Sequence, residues 1–313
     1  MPNPTTLPPL DVLVLMGGPD RERDVSLKSG QAVSNALREA GHRVATHITA
    51  GEGDLVPLDA FLQAHPQGIV FPALHGRWGE GGELQWQLTR RNARFVGCAT
   101  EAAARCMDKA AAKAVLVDAG LPTPGSEMLT PGQKRGRPAP VVVKAVDEGS
   151  SIGLEICPSD AQADAAITKL HADYPELLVE DFIQGREITV GVIEDPSAPG
   201  GLRTLPPIHI VPAVAFYDYE AKYLRNDTEY LFETGLPPAV LAEMARISAR
   251  AFRALGCRHL ARMDFIVDER GPWFIEANTM PGFTDHSLLP KAAAKAGLTF
   301  PQLADHLVRL ANG

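Results

Sequence analysis

Acidic and amide side chains alternate near the C-terminus of this sequence of 313 residues. In the segment FIEANTMPG, Glu276 and Asn278 lie two residues apart, so on a strand both side chains point to the same face. The segment ARMDFIV offers Asp264 on a neighbouring predicted strand. Carboxylate and amide oxygens suit Mg²⁺, whereas an exposed acid on a strand is the alternative for each residue alone. Because Glu276 interrupts an apolar run and would be costly to bury without a cation or partner, the pattern favours a metal site.

A turn that could close over a polyphosphate follows the predicted strand VVVKAV. Lys144 supplies a point charge, and the turn at 147–153 reads DEGSSIG, in which the glycines let the backbone fold over phosphates. Ser150 and Ser151 add hydroxyl donors. A surface hairpin with a solvated lysine is the alternative, since exposed charged turns are common. The sequence contains no Gly-x-x-x-x-Gly-Lys-Ser/Thr motif, which excludes a P-loop.

Two shorter motifs suggest other functions, but their contexts argue against them. The run DVLVLMGG followed by a helix is typical of a dinucleotide fold, yet PDRERD follows Gly17 and Gly18 and places carboxylates where a pyrophosphate would bind. Segment 149–153 matches Gly-x-Ser-x-Gly, the hydrolase nucleophile elbow. That elbow joins a strand to a helix, whereas the strand-like IGLEIC follows here. The sequence therefore favours neither a Rossmann cofactor site nor a serine hydrolase.

The composition is that of a soluble globular protein. Apolar residues make up 45% and charged residues 22% of the chain, and the formal net charge is −8. This acidic balance predicts no general affinity for nucleic acid or for anionic lipid. The four cysteines form no CxxC pair, no apolar run approaches the ~20 residues of a membrane span, and no segment has the pattern of a signal peptide. We therefore expect a cytoplasmic protein with no membrane partner.

The order of predicted elements indicates an α/β fold. Strands alternate with helices up to about residue 100, which predicts a small lobe built on a parallel sheet. The stretch at 101–119 is Ala-rich, which predicts helical structure that ends at Gly120. Paired strands with tight connections follow it and predict an antiparallel sheet, different from the first lobe.

Eight segments, in order, make the sequence similar to the D-alanine–D-alanine ligases of the ATP-grasp superfamily. They are GGPDRERDVSLKSG at 17–30, ALHGRWGEGGELQ at 73–85, CMDK at 106–109, VVVKAVDEGSSIG at 141–153, VEDFIQGRE at 179–187, FYDYEAKY at 216–223, ARMDFIV at 261–267 and FIEANTMPGFTDHSL at 274–288. The resemblance implies a mixed α/β ATP-grasp fold, with an N-terminal parallel α/β lobe at 1–100. Two antiparallel-sheet lobes, at 101–185 and 186–313, would grip ATP.

The resemblance also implies a nucleotide site and a metal site. Nucleotide contacts would come from Lys109, Lys144, Glu148, Gly149, Ser150, Ser151, Glu180, Asp181, Phe182 and Glu187. Within this set the two lysines would contact the phosphates, segment 180–182 would line the adenine edge largely through backbone groups, and Glu187 would hold the ribose. Two Mg²⁺ ions, or Mn²⁺ in their place, would bind to Asp264, Glu276 and Asn278, with Glu276 bridging.

On the substrate side, the resemblance implies that two D-alanine molecules bind beside the nucleotide. Their contacts would come from Glu22, His75, Arg262, Gly282, Ser287 and Leu288, and the catalytic set would be Glu22, Ser150, Lys222, Tyr223, Arg262 and Gly282. Glu22 would take the first ammonium group, while Ser150 and Tyr223 would lock the loop at 216–230 closed. Arg262 and the Gly282 N–H would stabilise the oxyanion as the second amine attacks.

The activity implied is ATP-dependent formation of D-alanyl-D-alanine through an acyl phosphate, for peptidoglycan precursor synthesis. The turn at 147–153 and the loop at 216–230 would exclude water from that intermediate. A ligase that joins D-alanine to D-lactate or D-serine is one alternative, and a non-catalytic ATP-binding regulator is another. The family resemblance further suggests a homodimer.

Overall fold

The computed structural model describes residues 8–149, 152–211 and 228–313. Its strands are β1 (Asp11–Gly17), β2 (Arg43–Thr49), β3 (Ile69–Pro72), β4 (Arg94–Phe95), β5 (Ser126–Leu129), β6 (Val141–Ala145), β7 (Leu154–Cys157), β8 (Leu177–Asp181), β9 (Arg186–Glu194), β10 (Leu202–Thr204), β11 (Ile208–Val211), β12 (Glu229–Leu231), β13 (Leu260–Asp268) and β14 (Gly271–Asn278). Its helices are α1 (Arg23–Glu39), α2 (Val56–Ala64), α3 (Gly76–Glu80), α4 (Glu83–Thr89), α5 (Thr100–Met107), α6 (Lys109–Asp118), α7 (Asp160–Leu170), α8 (Pro238–Ala254), α9 (Leu288–Lys295) and α10 (Phe300–Asn312), with a short 3₁₀ turn at Pro199–Gly201.

The first sheet is parallel, with the strand order β2-β1-β3-β4. Alternate residues of β1 face opposite sides of this sheet. Val12 and Val14 belong to the core formed with α1 and α10, whereas Leu13 and Leu15 belong to the core formed with α2 and α4. The sheet is therefore covered on both faces, as parallel sheets usually are.

The second and third sheets are antiparallel. Helices pack on one face of the second sheet, whereas on the third sheet α9 also packs against Ile193 and Ile208, on the face opposite the other helices. The second sheet has the order β5-β8-β6-β7, and its buried side packs on α7. The third has the order β12-β11-β9-β13-β14, with β10 on β9, and its buried side packs on α5, α6 and α8. The mixed α/β fold with one parallel and two antiparallel sheets confirms the predicted fold class.

The stretch at 101–119 is helical as predicted, and it forms two helices. Asp108 interrupts it with extended backbone angles, φ −80° and ψ 102°. Its side chain accepts a hydrogen bond from the Ala111 N–H at 2.9 Å, which caps the start of α6. This break places Lys109 at the first position of the second helix. Among the helices in the described ranges, none has the length and apolar character needed to cross a membrane.

Candidate functional site

Two adjoining cavities lie among the loops and sheet faces that the helices leave uncovered. The first, here called the interlobe cleft, measures about 140 Å³. Its lining includes Val142, Lys144, Leu154, Ile156 and Glu180 of the second sheet and Glu187, Asp264, Ile266, Ile275 and Glu276 of the third. The second, here called the polar pocket, measures about 320 Å³. Its lining includes Glu22, Lys28, His75, Glu80, Arg262, Asn278, Gly282, Ser287 and Leu288.

The interlobe cleft owes its mostly apolar walls to strand alternation. In β6, Val141 and Val143 are buried in the core with α7, so Val142 and Lys144 point to the opposite face and line the cleft. Ile266 of β13 lines it from the other sheet. A flat ring held between two apolar sheet faces would bury its surface there, while Lys144 offers a positive charge at the same wall.

Glu180 joins two lysines at the base of this cleft. Its carboxylate lies 2.7 Å from the Lys144 Nζ and 2.9 Å from the Lys113 Nζ, and all three side chains are buried. Burial by itself would raise the pKa of the Glu180 carboxyl, but the two ammonium charges outweigh it and the pKa lies below its ordinary value. Burial lowers the pKa of Lys113, an effect that Glu180 only partly offsets. With two cations and one anion, the cluster carries a net positive charge next to the cleft.

Contacts from two other parts of the chain hold the turn that follows Lys144. Arg77 of α3 forms an ion pair with Asp147 at 2.8 Å, and the Lys109 ammonium donates to the carbonyl oxygen of Glu148. Gly153 has a φ of +64°, which favours glycine, and its carbonyl accepts from the Ala145 N–H at 2.8 Å. Burial raises the pKa of Glu148, and the neighbouring Asp147 carboxylate adds to that effect. Glu148 of this turn lines both cavities, Gly149 lines the polar pocket and Ile152 lines the interlobe cleft.

The predicted metal ligands lie on two paired strands of the third sheet. Asp264 is opposite Glu276, and Arg262 is opposite Asn278. A β-bulge follows, because Phe265 pairs with Phe274 and leaves Ile275 as the extra residue of β14. The bulge lets Phe274 enter the core while the adjacent Ile275 and Glu276 both line the interlobe cleft.

Asp264 is the centre of the polar network on these strands. Its carboxylate accepts hydrogen bonds from the Thr189 hydroxyl at 2.6 Å, from the Asn278 amide at 3.0 Å and from two nitrogens of Arg262 at 2.8 and 3.0 Å. Two carboxylates and an amide on one sheet face are oxygen donors that fit Mg²⁺ or Mn²⁺. The donor chemistry of this face is therefore compatible with the expected cations.

Glu22 and His75 reach the polar pocket from the carboxyl ends of β1 and β3. Glu22 directly precedes α1, but its side chain does not cap that helix. Its Oε1 lies 3.7 Å from the position that a Cβ on Gly149 would occupy, next to the turn at 147–153. Ser26 anchors the preceding loop by accepting from the Gly17 N–H at 2.8 Å. Loops at this end of a parallel sheet commonly bind ligands.

The opposite wall of the polar pocket is the segment between β14 and α9. Ser287 precedes α9, and its Oγ accepts a hydrogen bond from the Thr284 N–H at 3.0 Å. A Cβ on Gly282 would lie 3.3 Å from that Oγ, so even an alanine here would require Ser287 to shift slightly. Arg262, Leu288 and Gly282 line the same pocket.

The structure brings together every predicted site residue that it describes, and each lines at least one cavity. Those lining the polar pocket are Glu22, His75, Arg262, Asn278, Gly282, Ser287, Leu288 and Gly149. Those lining the interlobe cleft are Lys144, Glu180, Asp181, Phe182, Glu187 and Asp264, and both cavities share Lys109, Glu148 and Glu276. Ser150, Ser151, Lys222 and Tyr223 lie outside the described residues.

One detail differs from the expected nucleotide contacts. The N–H groups of Asp181 and Phe182 donate to the carbonyl oxygens of Gly125 and Pro140, at 2.9 and 3.1 Å. These two backbone donors are therefore engaged within the protein, and the Glu180 side chain is engaged with its two lysines.

Sequence reasoning missed Lys113, Ser29 and Glu80. Lys113 follows Lys109 by one helical turn, and that spacing was a usable signal because the two residues share a face of α6. Ser29 and Glu80 occur inside segments that carry the family resemblance, yet their partners lie far along the chain. No local pattern reveals contacts between such distant positions.

Comparisons of the sequence and of the structure with known proteins all point to one family. A family model described as "D-ala D-ala ligase C-terminus" matches residues 123–309. The D-alanine–D-alanine ligase of Syntrophotalea carbinolica is 38% identical to the chain, and the match covers 95% of this chain and 94% of that protein. The D-alanine–D-alanine ligase of Desulforudis audaxviator is 41% identical, and the match covers 96% of this chain and 97% of that protein. The crystal structure of the Bacillus anthracis D-alanine–D-alanine ligase complexed with ATP superposes with a TM-score of 0.82 at 26% identity, covering 96% of this chain and 97% of the other.

Proposed function

The chain belongs to the D-alanine–D-alanine ligase family, and we propose that it joins two D-alanine molecules in an ATP-dependent reaction. One observation carries this proposal. The interlobe cleft and the polar pocket share Lys109, Glu148 and Glu276 as a common wall. A nucleotide in the cleft would therefore end its phosphate chain at the pocket that holds a carboxylate substrate, as direct phosphoryl transfer requires.

The charges along the cleft support a nucleotide in one orientation. The base would lie between the apolar residues Val142 and Ile266, with its edge toward segment 180–182 and its ribose at Glu187. The phosphates would then extend past Lys144 toward Lys109 and the turn at 147–153. A triphosphate would replace Glu180 as the partner of Lys144, while Lys113 would continue to pair with Glu180.

Asp264, Glu276 and Asn278 would hold two Mg²⁺ ions, or Mn²⁺ in their place, beside those phosphates. Bound there, the cations would neutralise charge on the transferring phosphoryl group. Arg262 contacts Asp264 at 2.8 Å and also lines the polar pocket, so it connects this face to the substrate side.

The polar pocket would order the two amino acids for a reaction in two stages. A carboxylate oxygen of the first D-alanine, whose ammonium group is held by Glu22, attacks the γ-phosphorus, and ADP leaves. The free amine of the second D-alanine then attacks the carbonyl carbon of the acyl phosphate. The tetrahedral intermediate expels phosphate, and the proton that the nitrogen loses ends on that phosphate. Arg262 and the Gly282 N–H would stabilise the oxyanion, and Ser287 with the Leu288 N–H would bind the second carboxylate; all four residues line this pocket.

The activity is tested by incubating the purified protein with ATP, Mg²⁺ and either D-alanine or L-alanine. We expect ADP, phosphate and D-alanyl-D-alanine in equal amounts with D-alanine, and no dipeptide with L-alanine. Phosphate release that does not depend on D-alanine would contradict the proposal and favour a nucleotide-binding regulator. In competition with D-lactate at neutral pH we expect the dipeptide to predominate, and preferential ester formation would favour the alternative ligase. A homodimer and a cytoplasmic location stay predictions.

A further inference from the structure

Three side chains from the N-terminal part of the chain hold the backbone of segment 280–283. The Glu80 carboxylate accepts from the Met280 N–H at 3.4 Å, and the His75 Nδ1 lies 3.0 Å from the Met280 carbonyl oxygen. The Ser29 Oγ accepts from the Phe283 N–H at 3.1 Å. Ser29 lies on α1, more than 250 positions away, so these bonds connect the first lobe to the loop after β14.

The direction of each hydrogen bond around Ser29 follows from its neighbours. The Met280 carbonyl can only accept, so the Nδ1 of a neutral His75 carries the proton. The Nε2 of that ring is then an acceptor, and the Ser29 hydroxyl, 3.1 Å away, donates to it. The same oxygen accepts from the Phe283 N–H, so both functions of the hydroxyl are used. Ser29 is fully buried and bonds to two separate parts of the polar pocket.

These bonds fix the two peptide planes that flank the Gly282 N–H. The Met280 carbonyl belongs to the peptide before Pro281, and the Phe283 N–H belongs to the peptide after Gly282. Peptide groups are planar, and the proline ring restricts φ of Pro281. Little freedom therefore remains for the peptide plane between Pro281 and Gly282, which lies between the two fixed planes. That middle plane carries the Gly282 N–H.

We infer that Ser29 is a positioning residue for ligation, which orients the Gly282 N–H through the Phe283 amide. Ser29 lines neither cavity and acts through this loop and His75. The inference rests on the proposed function, in which the Gly282 N–H stabilises the oxyanion. Ser29 therefore affects the second stage of the reaction and does not affect nucleotide binding.

The test compares Ser29→Ala with Ser34→Ala. Ser34 is equally buried on the same helix, but its hydroxyl donates only to the Gly30 carbonyl, at 2.7 Å, and contacts no residue of the site. Because a misplaced oxyanion donor costs about ten- to a hundredfold in turnover, we expect that loss of kcat in Ser29→Ala. The Kd for ATP should stay within twofold of the wild type in both variants, and Ser34→Ala should keep wild-type kcat.

Hydrogen exchange gives a second readout that does not depend on activity. Peptides covering 280–288 should exchange faster in Ser29→Ala than in the wild type and in Ser34→Ala, since the Phe283 N–H loses its acceptor. If Ser29→Ala does not fold, Ser29→Cys is measured in the same way, because its thiol has a similar size and forms only weak hydrogen bonds.

The outcomes separate this inference from the proposed function. A kcat for Ser29→Ala equal to that of Ser34→Ala, or unchanged exchange over 280–288, would overturn the role of Ser29 alone. An equal loss of kcat and of ATP affinity would also overturn it, because a general structural defect explains both. If the wild type forms no dipeptide, the proposed function fails and the role of Ser29 fails with it.

Discussion

Replacement of His259 by asparagine should make the fold less sensitive to acid. His259 precedes β13, has a φ of +62° and is only 7% exposed. Its Nδ1 accepts a hydrogen bond from the Gly97 N–H at 3.1 Å. Asparagine tolerates this left-handed backbone, and its amide oxygen can accept the same hydrogen bond. The substitution therefore removes a titrating group and keeps the local contact.

The size of this loss of stability at acid pH follows from the lowered pKa of His259. Burial, with smaller contributions from Arg258 and His306, lowers the pKa of His259 from 6.5 to about 4. Below pH 6.5 the unfolded chain binds a proton that the folded protein does not bind, so stability falls as the pH decreases. Between pH 7.5 and pH 5 the loss amounts to about 2 kcal/mol, at 1.36 kcal/mol per pKa unit.

The measurement is urea unfolding, followed by circular dichroism at pH 7.5 and pH 5. We expect the free energy of unfolding of the wild type to fall by about 2 kcal/mol more than that of His259→Asn over this interval. The control is His286→Asn, because the His286 side chain is 86% exposed and should give the wild-type pH dependence. Equal losses in the wild type and His259→Asn would refute the reasoning.

Two substitutions test the assignment of the interlobe cleft. Lys144→Met should weaken equilibrium binding of ATP by about tenfold or more and leave D-alanine binding nearly unchanged, because a charge-assisted contact to phosphate is lost. Lys113→Met is its control, since Lys113 also pairs with Glu180 but does not line the cleft, and equal effects on ATP and D-alanine would indicate a folding defect. Glu276→Gln should lower turnover by about two orders of magnitude or more and change nucleotide affinity far less; a change in affinity alone would favour a binding protein.

Strand alternation explains why so much of the site could be predicted. A period of two places Lys144 beside Val142 on the open face of β6, and it places Glu276 and Asn278 together at the end of β14. The order of the motifs supplied the family, which the comparisons confirm. The roles of all the predicted site residues remain predictions, and Ser150, Ser151, Lys222 and Tyr223 also lie outside the described residues.

The bulge at Ile275 shows where sequence reasoning stops. Strict alternation would put Phe274 on the same face as Glu276, yet Phe274 is fully buried in the core and Glu276 lines the cleft. The extra residue is decided by the pairing of β13 with β14, in which Phe265 and Phe274 meet edge to face at 5.4 Å. Likewise, the ion pair between Lys113 and Glu180 depends on how α6 lies against the second sheet.

The helix α10 has a consequence for biosynthesis. Leu303 and Leu307 pack against the same face of the first sheet as Val12 and Val14, and Asp305 lies 2.8 Å from the buried His42 imidazole. A chain emerging from the ribosome therefore completes the core on this face of the first sheet only after residues 300–312 have been synthesised. Until then that apolar face lacks part of its cover, and exposed apolar surface of this kind favours aggregation of a nascent chain.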